Sequence, residues 1–346
     1  MIARLAQVFL SLFLLCLLGQ PADAQQANRP LIKIVATGGT IANTPTGRLA
    51  VDTVLSQIPQ IQQHARIEVV DLFRVGSSAI TVQNWLDLAA AVNRTLATEP
   101  EVAGIVVTHG SNTSEETAYF LSLTVNSAKP VVITAAQRQQ TTLGQEGTRN
   151  LYDAIRVAAT PAAAGKGVLL VVNEMIHPAR DVTKRVSVRV ETWHSGDTGV
   201  LGLVDGDKVS FYHQPLYKHT SGSDVRLAPG LTQAAQLPRV DILYAYAGTD
   251  AALAEAAVRA GAKALVIAGF PTGDGTPALE EALKRLQQQG TPVIMSNRGG
   301  LGRINAKDSE FIAADNLTPQ KARILAMLAL AKNPSPEFLR QVMDSH

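Results

Sequence analysis

The sequence predicts an α/β chain of two parallel-sheet domains, a larger one followed by a smaller, on three observations. Beyond residue 24, short apolar runs alternate with segments of helical period, the pattern of βα units that build a mostly parallel sheet. That alternation is broken once, by a stretch rich in Pro, His, Ser and Gly, and then resumes. Several of the apolar runs are followed by polar, glycine-containing segments, and ligands of open parallel sheets bind beyond the carboxyl ends of the strands.

Residues 1–24 read as a secretory signal peptide. Met1-Ile2-Ala3-Arg4 gives the basic start, Val8 to Leu18 the apolar core and Ala22-Asp23-Ala24 the small-x-small cleavage pattern. The core is about half of the ~20 residues needed to span a bilayer, which argues against an anchor helix. The mature chain is then expected to begin near Gln25 and to be periplasmic or secreted. Cys16, the single cysteine, leaves with the signal, so disulfides, cysteine nucleophiles and thiolate metal sites are excluded. Formal net charge is only +2, and no long basic run interleaves with aromatics, which argues against a nucleic-acid partner.

In the N-terminal domain, set at 25–214, Leu31 to Ala36, Ile67 to Val70, Val102 to Val107, Val131 to Ala135 and Val168 to Val172 read as buried strands. Val82 to Leu96, Ser114 to Val125 and Thr148 to Ala159 read as the helices between them, and Thr113-Ser114-Glu115-Glu116 has the spacing of a capping box. Val200 to Phe211 reads as two short strands around Asp205-Gly206, a preferred hairpin turn. From Tyr212 to Arg239 no periodicity is sustained, and the linker is set at 215–238. The C-terminal domain, 239–346, has strands at Ile242 to Ala245, Ala264 to Ala268 and Pro292 to Met295. Its helices fall at Ala251 to Ala260, Ala278 to Gln288 and Pro319 to Leu330, with a last one ending near Met343.

Three post-strand segments can carry chemistry. Thr37-Gly38-Gly39-Thr40-Ile41-Ala42 follows the first strand; its paired glycines let backbone amides and a hydroxyl approach a ligand, as attack on an amide carbonyl requires. The segment fits neither G-x-G-x-x-G nor the P-loop pattern. Thr108-His109-Gly110-Ser111-Asn112-Thr113 leads into a helix N-terminus, where the dipole favours an anionic group; Ser, Asn and Thr also serve there as ordinary caps. Ala179-Arg180-Asp181-Val182-Thr183-Lys184 offers a lysine that desolvation would turn into a general base if it met a hydroxyl, and that is otherwise a solvated side chain.

In this order and spacing the three segments resemble the bacterial-type L-asparaginase and glutaminase-asparaginase family, whose two signatures match Thr37 to Ala42 and Gly104 to Gly110 with Glu115 to Leu121. Lys129-Pro130-Val131-Val132, Asn150 to Ala154, Arg180 to Lys184 and Leu317 to Arg323 are similar too, so the resemblance covers essentially the whole mature chain. It implies hydrolysis of L-asparagine, with L-glutamine as a second substrate, to the acid and ammonia through a Thr/Ser acyl-enzyme, without metal or cofactor. On that resemblance Thr40 is the nucleophile, Ser111 and Lys184 form a hydroxyl-lysine pair, and Ser77, Ser78 and Asn112 contact substrate. A homotetramer with sites at subunit junctions is implied as well.

The pocket departs from the family pattern. Asn112 stands where the family carries an aspartate for the substrate α-ammonium, Ser78 where many relatives have glutamine, and Asn43 to Val51 lacks the loop tyrosine of relatives with high asparaginase activity. The alternatives are therefore an amidase of shifted substrate or a periplasmic amino-acid binder that does not turn its ligand over. Metal-dependent hydrolysis through His177, His194, His213 and His219 is disfavoured, because their spacing forms no compact ligand motif.

Overall fold

The structure is a computed structural model that describes residues 28–39, 41, 43–44, 47–304 and 310–346. The signal peptide read at 1–24, Cys16 within it, and Thr40 lie outside the described residues.

The first half is built on strands β1 (Leu31–Ala36), β2 (Asn43–Thr44), β3 (Gly47–Arg48), β4 (Arg66–Asp71), β5 (Val102–Thr108), β6 (Val131–Thr134), β7 (Val168–Val172), β8 (Met175–Pro178), β9 (Thr183–Lys184), β10 (Trp193–His194), β11 (Gly202–Val204) and β12 (Val209–Phe211). Eight of them form one sheet in the order β12-β11-β8-β7-β6-β5-β1-β4, in which β4, β1, β5, β6 and β7 are parallel. Both faces of the central strands are covered, which is why β6 and β7 read as unbroken apolar runs in the sequence. The edge strand β4 instead exposes Arg66, Glu68 and Asp71, charges that discourage further pairing.

The strand core ranges agree with the sequence reading to within a residue or two. The sequence did not announce the antiparallel extension β8-β11-β12 beyond β7, nor the two-residue pairs β2-β3 and β9-β10. The β11-β12 hairpin is present, but its turn is one residue further on. Val204 pairs with Val209, and Asp205 N–H donates to Lys208 O (2.9 Å), leaving Gly206-Asp207 at the tip.

The helices of this half are α1 (Val51–Leu55), α2 (Val82–Thr98), α3 (Ser114–Thr124) and α4 (Gly147–Ala158). A capping box does form, at α2: Asn84 N–H donates to Thr81 Oγ1 (3.3 Å) and Thr81 N–H to Asn84 Oδ1 (3.0 Å). The one expected at Thr113 does not, because the Thr113 hydroxyl is engaged elsewhere.

The second half carries a four-stranded parallel sheet, β13 (Val240–Tyr244), β14 (Ala264–Gly269), β15 (Val293–Asn297) and β16 (Ile312–Ala313), in that order. Its helices are α5 (Ala252–Arg259), α6 (Pro277–Gln288), α7 (Pro319–Lys332) and α8 (Pro336–Ser345). Helices α3 and α7 are buried over most of their circumference, as an apolar run without a polar face requires. They share one hydrophobic core with Val35, Ile105 and Ile133 of the first sheet and Val266 and Ile294 of the second, so the two halves meet across this helix pair. Between the halves, Val225 and Leu237 are buried in the same core, so the aperiodic segment is anchored although it holds only single 3-10 turns.

Candidate active site

The chain runs from β1 to β4 on one side, then crosses to β5 on the other side of β1. The topological switch point therefore lies between β1 and β5, the place where an open α/β sheet leaves a crevice at its carboxyl edge. Thr37 ties the two strand ends together, since its N–H (3.2 Å) and Oγ1–H (2.7 Å) both donate to Thr108 O. Gly38 and Gly39 follow with φ of +103° and +99°. A Cβ on Gly38 would lie 2.6 Å from Val75 O, and one on Gly39 2.4 Å from Gly110 N and His109 O, so backbone passes between backbones where no side chain fits. Thr40, next in the chain, lies outside the described residues, and Ile41 beyond it is buried.

Ser77 closes the crevice from the loop after β4. Its Oγ accepts Asn112 N–H (3.2 Å) and its carbonyl accepts the Thr113 hydroxyl (2.8 Å). The latter bond is what removes Thr113 from capping duty: the hydroxyl points across to a neighbouring loop instead of back onto its own helix. Ser77 is buried, whereas Ser78 beside it is exposed.

Ser111, 6% exposed, sits just before α3, and Lys184 reaches it from β9. Lys184 Nζ donates to Ser111 Oγ (2.7 Å) and to Asn112 Oδ1 (3.0 Å). Burial pushes the Lys184 ammonium below the ordinary lysine range, and the Glu115 carboxylate opposes that shift. The fold brings Lys184 to the Ser111 hydroxyl although 73 residues separate the pair along the chain.

What holds Lys184 in place comes partly from the second half of the chain. Its N–H donates to Glu115 Oε2 (2.8 Å), and Glu115 Oε1 accepts from Gln320 Nε2 (3.0 Å). Lys321, fully buried, donates from Nζ to Arg180 O (2.7 Å) and to Val182 O. Burial pushes its pKa down to about 8. Arg180 in turn pairs with Asp315 (3.2 Å). Sequence reasoning missed Glu115, Gln320 and Lys321 as parts of the site. Glu115 was visible as a member of a capping-box spacing and of a family signature, neither of which points to the partners its side chain serves.

His109 was noted only within its motif, and the structure gives it a role. Trp85 Nε1–H donates to Thr117 Oγ1 (2.9 Å), whose hydroxyl donates to His109 Nε2 (3.0 Å), and His109 Nδ1–H donates to Gly110 O (2.8 Å). A carbonyl can only accept, so the chain of bonds fixes the tautomer. Burial drives the imidazole pKa down to about 4, keeping it neutral, and this relay orients the Gly110 peptide directly before Ser111. His177, also buried, is spent on Ser195 Oγ (2.7 Å) rather than on this crevice.

A buried hydroxyl held on a lysine amine at a switch point, beside a glycine turn and a helix N-terminus, has the parts of an acyl-transferring hydrolase. The sequence comparisons agree with that class. The Asparaginase, N-terminal family model matches residues 31–217, and the Glutaminase/Asparaginase C-terminal domain model matches residues 239–343. L-asparaginase 2 of Bacillus subtilis is 36% identical over 337 residues, covering 93% of this chain and 88% of the relative. A probable periplasmic L-asparaginase of Haemophilus influenzae is 35% identical, covering 93% and 94%. Among solved structures, a probable cytoplasmic L-asparaginase from Campylobacter jejuni superposes with a TM-score of 0.87 at 36% identity, covering 92% of this chain and all of that one. The chain belongs to the asparaginase family, and its two-domain α/β architecture is the one that family's structures have.

Proposed function

We propose that the protein hydrolyses the side-chain amide of L-asparagine, and of L-glutamine as a second substrate, releasing ammonia and the corresponding acid. The observation that carries this reading is the 2.7 Å contact between Lys184 Nζ and Ser111 Oγ at the switch point. In the proposed sequence the Thr40 hydroxyl attacks the carboxamide carbon, the tetrahedral intermediate expels ammonia, and a Thr40 ester remains. Neutral Lys184, through Ser111, then takes a proton from water as it attacks the ester and returns it to the Thr40 oxygen as the ester C–O bond breaks, which frees the acid and restores both Thr40 and the neutral amine. Backbone N–H groups of the glycine turn and the α3 N-terminus are suited to the oxyanion and to the substrate α-carboxylate, the latter near Ser77 and Ser78. The proposal includes export to the periplasm, resting on residues 1–24, and a homotetramer, resting on the family resemblance.

One observation favours a second reading, an amino-acid binder or an amidase of other substrate. Asn112 carries no charge for an α-ammonium, and its Oδ1 already accepts from Lys184. Ammonia release from L-asparagine, L-glutamine and their D-isomers separates the readings, with Thr40→Ala, Ser111→Ala and Lys184→Met alongside. Turnover that each substitution lowers by about a hundredfold or more supports hydrolysis. Saturable binding with no ammonia from any amide establishes the binder.

A further inference from the structure

Lys184 is gripped at both ends, and only one charged group among those described as acting on it is negative. On the loop after β5 its partners are the neutral Ser111 and Asn112. From α3 comes Glu115; burial and then the Glu115 carboxylate push the pKa of the neighbouring Glu116 up, with Arg323 and Lys321 opposing that shift. From α7 come the neutral amide of Gln320 and the buried ammonium of Lys321, which is turned onto the carbonyls of Arg180 and Val182. Along its own segment Asp181 is paired with Arg180, and Arg185 is exposed.

We propose that Glu115 is the positioning residue of Lys184: one carboxylate oxygen fixes the lysine main chain, the other is locked by Gln320, and its charge is the counter-charge that Asn112 does not supply. This rests on the reading of Lys184 as the base. Both oxygens are committed to N–H donors at 2.8 and 3.0 Å, so the carboxylate cannot swing away and its charge stays fixed relative to the amine. Removing that charge while keeping one acceptor oxygen for Lys184 N–H, as Glu115→Gln does with Gln320 turning its own amide oxygen to the new NH2, leaves Lys184 to burial alone. The lysine then gives up its proton at lower pH. Asn112→Asp acts in the opposite sense, because it sets a carboxylate 3.0 Å from Nζ in place of the amide oxygen.

The experiment uses the full mature chain and two readouts. The first is the pH profile of kcat for ammonia release from L-asparagine. The second is the pH dependence of Lys184 arylation by fluorodinitrobenzene, located by peptide mass mapping, which needs no turnover and separates Lys184 from Lys321. The expected result is a shift of both midpoints to lower pH in Glu115→Gln, to higher pH in Asn112→Asp, and an intermediate position in the double variant. Glu115→Ala, which also removes the acceptor for Lys184 N–H, should lose kcat by about tenfold or more at a pH where the amine is neutral, and Glu115→Gln should recover it. A Lys184 arylation midpoint that Glu115→Gln leaves unmoved overturns the proposal, as does a kcat loss in Glu115→Ala that merely tracks the fraction of folded protein. If the parent releases no ammonia, the hydrolase reading fails on the first readout while the second still decides the role of Glu115.

Discussion

Substituting Gly39 with alanine tests whether the glycine turn is a fitted part of the site or a simple strand exit. A Cβ there would stand 2.4 Å from Gly110 N and from His109 C and O, against about 3.4 Å for ordinary contact, so the turn and the His109–Gly110 backbone must part by about 1 Å. Neither side can yield cheaply, because Thr37 is bonded to Thr108 and the His109 relay holds Gly110. Displacing reacting groups by that distance commonly costs about a hundredfold in rate. Alanine at φ +99° also carries backbone strain of about 1–2 kcal/mol, which lowers Tm by roughly 1–3 °C in a chain of this size. Gly165→Ala supplies the control: φ is +72° and nothing lies within 4 Å of its added carbon, so it bears the strain without the clash. The assay is ammonia release with thermal unfolding of both variants. Gly39→Ala is expected to lose both rate and stability, Gly165→Ala stability only. Gly39→Ala at parental kcat would refute the argument that the two loops are fitted to each other.

Two further outcomes follow from named groups. His109 has its pKa lowered from 6.5 to about 4. Below pH 6.5 the unfolded chain therefore binds the proton that the folded chain refuses, and stability is lost as pH falls from 6.5 towards 4. His109 accounts for about 3 kcal/mol of that loss. Urea unfolding of His109→Gln across this window should show a shallower loss than the parent, and an identical slope counts against the buried relay. Asn112→Asp should lower KM for L-asparagine, on the order of a hundredfold, by restoring a charge for the α-ammonium; steady-state kinetics showing an unchanged or raised KM would mean that the ammonium is held elsewhere.

The sequence revealed what local pattern controls. Strands β1, β5, β6 and β7 are buried on both faces, so each appears as an apolar run with recognisable ends. The segments holding Ser111 and Lys184 were found where such runs stop, and their roles came from the family resemblance; Ser77 was singled out by the resemblance alone. What escaped was set by partners distant in sequence. β9 and β10 are two residues long, too short to show any period, yet β9 carries Lys184. Glu115 lies in a spacing that suggests a cap, but its partners are 69 and 205 residues away. Thr113 has the right chemistry for an N-cap and loses it to Ser77, which no local rule foresees. His109 sits in a recognised motif, but its relay depends on Trp85 of α2 and Thr117 of α3 meeting behind it.

The first turn of α7 also has a meaning for recombination between homologues. Gln320 and Lys321 of the C-terminal half hold Glu115 and the 180–184 segment of the N-terminal half. A crossover placed in the aperiodic stretch around 215–238 looks harmless, since it spares every strand and helix. It would nevertheless split one set of interlocking parts between two parents. Chimaeras of this family should therefore keep working when residues 115, 180–184 and 319–323 are inherited from one ancestor. When that set is divided they should fold yet lose turnover, which makes these residues the indivisible block for anyone shuffling halves.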